Sequence, residues 1–155
     1  MKLTFISDTF FYNYNNKIYP KGSINENVIN RYKQVFDEIE ILSRQIKIKE
    51  DITNLTNLNI LEGIKFIDIP NFTSIKNFYK LPNIRKIIKR VIKNSEIIIA
   101  RLPSILGNIA IDYAKKYKKP YGVEVVGCPW DSLWNYGNIQ GKIMAPFVYF
   151  RTKKI

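Results

Sequence analysis

The sequence predicts an α/β domain, a mostly parallel sheet flanked by helices. Three observations carry that reading. Short apolar runs of strand length alternate along the chain with amphipathic segments of helical period, the order expected of βαβ units. The chain has 155 residues and is 46% hydrophobic, enough for one domain with a real core. No internal repeat, low-complexity tract or linker-like stretch divides it, so residues 1–155 read as a single domain.

Residues 2–7 alternate into a first strand, with Asp8 and Thr9 at its end. Residues 10–23 are aromatic, rich in Asn and broken by Pro20 and Gly22, which reads as a loop. Asn25 or Asn27 is placed to cap a helix running to about Phe36, with Val28, Tyr32, Val35 and Phe36 on one face. A second strand follows at 39–43, and 44–63 lack clear periodicity and read as irregular. Residues 64–69 alternate strictly and stop at Pro70, a third strand.

The clearest helix is 82–93. Ile84, Ile87, Ile88, Val91 and Ile92 recur at i, i+3, i+4, i+7 and i+8, with Pro82 near the start. Its other face is Arg85, Lys86, Lys89, Arg90 and Lys93, without an acid. Residues 96–100 form a buried strand ending at Arg101. Ser104 then caps a helix through Tyr117, with Ile105, Ile109, Ala110 and Tyr113 inward. Residues 120–126 are the next strand, and 138–153 a last helix that Pro146 is expected to kink or split.

Composition excludes several chemistries. With Cys128 alone there is no intramolecular disulfide, which fits a reducing compartment. With no histidine, histidine-based zinc sites and Ser-His or Cys-His nucleophile pairs within the chain are excluded. Neither GxGxxG after the first strand nor GxxxxGK[ST] is present, so dinucleotide and P-loop readings lack support. No run approaches the ~18 apolar residues of a spanning helix, and Asp8 comes too early for a signal peptide. A cytoplasmic location is expected. The net charge of +12 lies entirely in residues 71–155, since residues 1–70 balance. An anionic partner (membrane, nucleic acid or phosphorylated substrate) explains that asymmetry, and so does a Lys-rich solvated surface.

The candidate site residues gather near the carboxyl ends of the later strands, where open α/β sheets bind ligands. Arg101 ends an apolar strand and is suited to clamp a phosphate or carboxylate, or to pair with Glu124 or Asp131. Glu124 sits within an apolar strand, where a carboxylate is either paired structurally or held for chemistry. Asn108 lies four residues past the Ser104 cap, facing either the same crevice or solvent. Trp130 and Trp134, beside Asp131, Asn135 and Tyr136, either stack on a sugar ring or plug the loop over the last helix. Cys128 reads as a small apolar filler. No catalytic residue and no metal ligand emerges.

The segments MKLTFISD, RYKQVFDEIEILSR, GIKFIDIPNF, EIIIARLPSILGNIAIDYAKKYKKPYGVEVVGCPWD and NYGNIQGKIMAPF together resemble the N-terminal half of a bacterial family-4 glycosyltransferase, in the branch that builds capsular or cell-surface polysaccharide. Residues 96–147 are the specific part of the match. The resemblance implies one Rossmann-like half of a GT-B fold, the half that binds the acceptor, with the C-terminal donor domain absent from this chain. It implies a retaining transfer from a nucleotide-sugar to a glycan or lipid-linked acceptor, usually without metal and with no cofactor held here. Arg101, Asn108, Glu124, Trp130, Asp131 and Asn135 would then be substrate-binding. The family's donor-contacting glutamates belong to the other half, and a C-terminal donor domain on another chain is one partner that the resemblance allows. Many relatives also carry a histidine after the strand at 121–126, where this chain has Gly127 and Cys128.

The basic, aromatic segment from Phe147 to Ile155 is expected to make a peripheral contact with the anionic inner face of a membrane. The alternatives are a basic nucleic-acid-binding module, which lacks any recognised motif, and an inactive truncated remnant.

Overall fold

The strands β1 (Lys2–Tyr14), β2 (Lys17–Pro20), β3 (Glu38–Lys47), β4 (Ile64–Asp68), β5 (Ile97–Leu102) and β6 (Tyr121–Val125) form one sheet. The helices are α1 (Glu26–Lys33), α2 (Leu81–Lys93), α3 (Ile105–Lys116) and α4 (Ile139–Lys153). This computed structural model describes residues 1–49, 52, 55–72, 75–128, 130–135 and 139–155. Strand order is β4-β3-β1-β5-β6, parallel at every pairing, with β2 antiparallel to β1 off that path. The α/β, Rossmann-like arrangement that the sequence predicts is therefore present.

Alternation along the strands sends side chains to two separate cores. Ile6, Leu42 and Ile98 pack under α2 and α3 with Ile84, Ile88, Ile92, Leu106 and Ala110. Leu3, Phe5, Ile39 and Ile41 pack on the opposite face with Ile29 of α1, Phe11 and Ile18. At roughly 25 cal/mol per Å² of apolar surface, these two layers are the main stabilising contribution to the fold.

The sequence reading needs correction in four places. Residues 10–14 are not loop: β1 runs on to Tyr14 and turns into β2, pairing Tyr14 with Lys17. The two turn residues, Asn15 and Asn16, have φ of 50° and 62°. Asparagine tolerates that left-handed conformation, and two such residues in sequence match the right-handed twist of a hairpin. The second strand also extends through Arg44, Gln45, Ile46 and Lys47, because Phe10–Asn13 of β1 stay alongside to pair with them. Helix α1 ends at Lys33, and Val35 is exposed rather than inward. Finally, the last helix is one span containing Pro146. The proline has no N–H for the carbonyl of Lys142, but Lys142 is exposed and water can serve that carbonyl. Asn138, read as that helix's start, lies outside the described residues.

The stretch before β4 closes tightly. Gly63 has φ of +77°, and a Cβ there would come 2.3 Å from the Asp37 carbonyl oxygen. Only glycine fits both constraints. Among the described residues, no helix is long and apolar enough to cross a membrane.

Candidate functional site

From β1 the chain steps outward to β3 and β4, then returns to lay β5 and β6 on the other side of β1. The direction of winding thus reverses between β1 and β5, and open α/β sheets bind ligands at the carboxyl edge of that point. Here β1 and β5 stay paired only as far as Ile6 and Ala100. Beyond them β1 shifts register between Ile6 and Phe10 and follows β3 instead. The strands part, and a cleft of about 220 Å³ opens, lined by Ser7, Asp8, Thr9, Ser23, Arg101, Pro103 and Val126.

Asp8 holds the floor of this cleft. Its carboxylate accepts the backbone N–H groups of Ile105 (2.7 Å) and Leu106 (3.1 Å) at the start of α3. Ser104 Oγ accepts the N–H of Gly107 at 2.8 Å, the cap that the sequence predicts. A helix N-terminus is the usual anion seat of such folds, and in this chain its own carboxylate occupies it. The Asp8 backbone oxygen in turn accepts from Arg44 Nε (3.0 Å) and Nη2. The Arg44 guanidinium stacks 3.9 Å from the Phe10 ring centroid, and burial lowers its pKa from the ordinary value, opposed by the nearby Asp8 charge.

Arg101 follows Ile97 and Ile99 on the α1 face of β5 and stands in register with Glu124 of β6. Arg101 Nε lies 3.4 Å from Glu124 Oε2. Tyr32 of α1 donates its hydroxyl to the same oxygen at 3.3 Å, and Arg31 Nη2 lies 3.8 Å from Oε1. Burial first, and the Glu124 charge second, raise the Tyr32 pKa above its ordinary value. One carboxylate therefore serves two guanidiniums and a phenol. The Arg101 side chain is only 10% exposed, and its Nη1 is buried without a hydrogen-bond partner.

Of the residues picked from sequence, the cleft brings together Arg101 and, through it, Glu124. Asn108 is buried in α3 with its Oδ1 unpartnered, and it does not line the cleft. Trp130, Asp131 and Asn135 lie in and beside the turn Asp131–Asn135, which packs against α4 instead. There Trp130 and Trp134 stack on each other (centroids 4.9 Å apart, planes 12° apart), and Trp130 meets Tyr149 edge-on at 6.1 Å. Tyr136 lies outside the described residues. Ser7, Thr9 and Ser23 were not picked as site residues from the sequence, although the SDT triplet closing the first strand was the visible signal for Ser7 and Thr9. Among the described residues no cluster of Cys, Asp or Glu could hold a metal ion.

The chain is similar to Protein CapJ of Staphylococcus aureus. The two are 34% identical over 157 residues, a match covering 100% of this chain and 39% of that protein. The chain thus spans about two fifths of the length of the curated relative it matches. No family model matches. A solved structure, the C-terminal domain of PF1911 hydrogenase from Pyrococcus furiosus, aligns with TM-score 0.42 and 10% identity over 79% of this chain and 90% of that one. That likeness is too slight to carry an argument.

Proposed function

We propose that this chain is the acceptor-side half of a retaining glycosyltransferase in cell-surface polysaccharide synthesis. The observation that carries the reading is the switch-point cleft, whose hydroxyls (Ser7, Thr9, Ser23) and guanidinium (Arg101) suit a polar, sugar-like ligand. The likeness to Protein CapJ supports a place in cell-surface polysaccharide synthesis. In this reading the nucleotide-sugar is held by a second, GT-B-type half, and this half orients the acceptor hydroxyl toward it. Orientation is a large share of catalysis in a two-substrate transfer.

The test joins this chain to the part of Protein CapJ that it does not match. Transfer from nucleotide-sugars to lipid-linked glycan acceptors is then assayed for the joined protein and for the chain alone. Activity only in the joined form is expected. A folded joined protein that transfers nothing from any donor overturns the reading.

An anionic membrane is the surface on which a lipid-linked acceptor would be met, and α4 has the features for it. Ile139, Ile143, Phe147 and Phe150 are exposed at i, i+4, i+8 and i+11, one face of the helix. Lys142, Arg151, Lys153 and Lys154 flank them, the mix of cations and aromatics that binds anionic interfaces. The chain should sediment with anionic vesicles at low salt, and Phe147→Ser with Phe150→Ser should abolish this. Vesicles that leave the wild type in the supernatant refute the docking.

A second reading rests on α2. Lys86, Lys89, Arg90, Lys93 and Asn94 line an open groove of about 300 Å³ on its acid-free face, a surface suited to nucleic-acid phosphates. Affinity for random oligonucleotides that falls steeply with salt would support it, and no binding at low salt would dispose of it.

A further inference from the structure

We propose that the switch-point cleft recognises an oxyanion carried on the acceptor, a sugar bearing a carboxylate or a phosphate. This inference rests on the acceptor-side reading above and specifies its substrate class. Arg101 is the guanidinium that lines the cleft, and the two carboxylates beside it, Asp8 and Glu124, are already engaged. Asp8 is spent on the amides of Ile105 and Leu106. Glu124 is divided between Arg31, Arg101 and Tyr32. A guanidinium carries five donors, and Arg101 Nη1 stays buried with no acceptor. A buried donor left unmatched is costly, and a ligand oxygen that satisfies it gains accordingly.

The walls point the same way. Ser23 and one member of the Ser7–Thr9 pair add hydroxyls that can donate to an anion. Ser7 Oγ and Thr9 Oγ1 already lie 2.8 Å apart, and Thr9 N–H fixes Ser7 Oγ at 3.1 Å, so this pair is set before a ligand arrives. The cleft, at about 220 Å³, is smaller than the ~300–1,000 Å³ typical of pockets that enclose a whole ligand. It therefore takes one charged end of an extended acceptor. With Asp8 filling the α3 N-terminus, the anion must be met by side chains, and Arg101 is the cation among those that line the cleft.

The experiment titrates the full chain with glucuronate, glucose 1-phosphate, inorganic phosphate and glucose, following backbone NMR shifts. Either charged sugar should bind at least about tenfold more tightly than glucose, with shifts at Ser7, Thr9 and Ser23. Glucuronate and glucose 1-phosphate separate the carboxylate from the phosphate source, and inorganic phosphate shows whether the sugar ring is needed. R101Q should remove the preference. Because R101Q also perturbs Glu124, S23A at the exposed Ser23 is the second variant, expected to weaken the charged sugar severalfold in an unaltered fold. Equal binding of glucose and glucuronate, no binding of any probe, or a charge preference that survives both variants would overturn the oxyanion assignment. Glucose binding in the cleft without charge preference would leave the acceptor-side reading standing. Charged-sugar binding with no transfer by the joined protein would do the reverse.

Discussion

Under α2 and α3 the sheet stays apolar to its carboxyl edge, while under α1 it turns polar halfway along. On the first face, Ile6, Leu42, Ile98 and Leu102 are fully buried, and the polar strand residue Thr4 is bonded to Ser95 at 2.6 Å. Ser95 Oγ passes its own proton to the Val91 carbonyl at 2.9 Å. On the second face, the alternation of Leu3, Phe5, Ile39, Ile41, Ile97 and Ile99 gives way to Ser7, Ser43 and Arg101. Ser43 Oγ and Arg101 Nη1 are buried without hydrogen-bond partners. The helices differ to match: α2 and α3 have 13 and 12 residues, against 8 in α1 with Ile29 as its one buried side chain. One face is built for stability, and the other carries polar side chains toward the carboxyl edge, where Ser7 and Arg101 line the cleft.

The sharpest test of that difference is truncation on the apolar face. Ile88→Ala should lower unfolding stability by about 3–5 kcal/mol in urea titrations, because the packed site cannot collapse around the lost methyl groups. Asp8→Ala should come next, at about 2 kcal/mol, since it frees two α3 amides, and Asp8→Asn should cost less. A loss under about 0.5 kcal/mol would mean that water replaces the cap.

Glu124→Gln probes the polar face, and about 1–2 kcal/mol is expected. The carboxylate is mostly buried, at 25% exposed, yet screened enough to discount the larger cost of a fully buried pair. Tyr32 supplies the pH dependence. Its pKa is raised in the folded state, so its contribution is fully present below the ordinary value of 10.0 and is lost as pH climbs beyond it. Stability should fall above about pH 10, and Tyr32→Phe should flatten that decline. The smallest effect belongs to the hairpin. Asn16→Gly should raise stability by about 0.5 kcal/mol by relieving a positive φ.

The apolar face was legible in the sequence because its rule is periodic. Ile84, Ile87, Ile88, Val91 and Ile92 announce α2, and the β5 and β6 runs announce themselves through length and alternation. Arg101 and Glu124 stood out because each interrupts such a run. What escaped was whatever depends on a neighbour. Arg44 is a cation that is buried against Phe10, so β3 looked four residues shorter at its carboxyl end than it is. Asn15-Asn16 lacks the glycine that usually signals a two-residue hairpin. Asp8 is adjacent to α3 only in space, 97 residues away from the amide it caps. The two tryptophans were visible as a cluster, but their preference for each other and Tyr149 over the cleft is a packing outcome.

The cap from Asp8 also has a kinetic meaning. The amides of Ile105 and Leu106 are held by a side chain of β1, so their exchange with deuterated water reports the cleft floor rather than the helix alone. Whatever enters between Ser7 and Arg101 and steadies β1 will slow those two protons, in a helix that it need not touch.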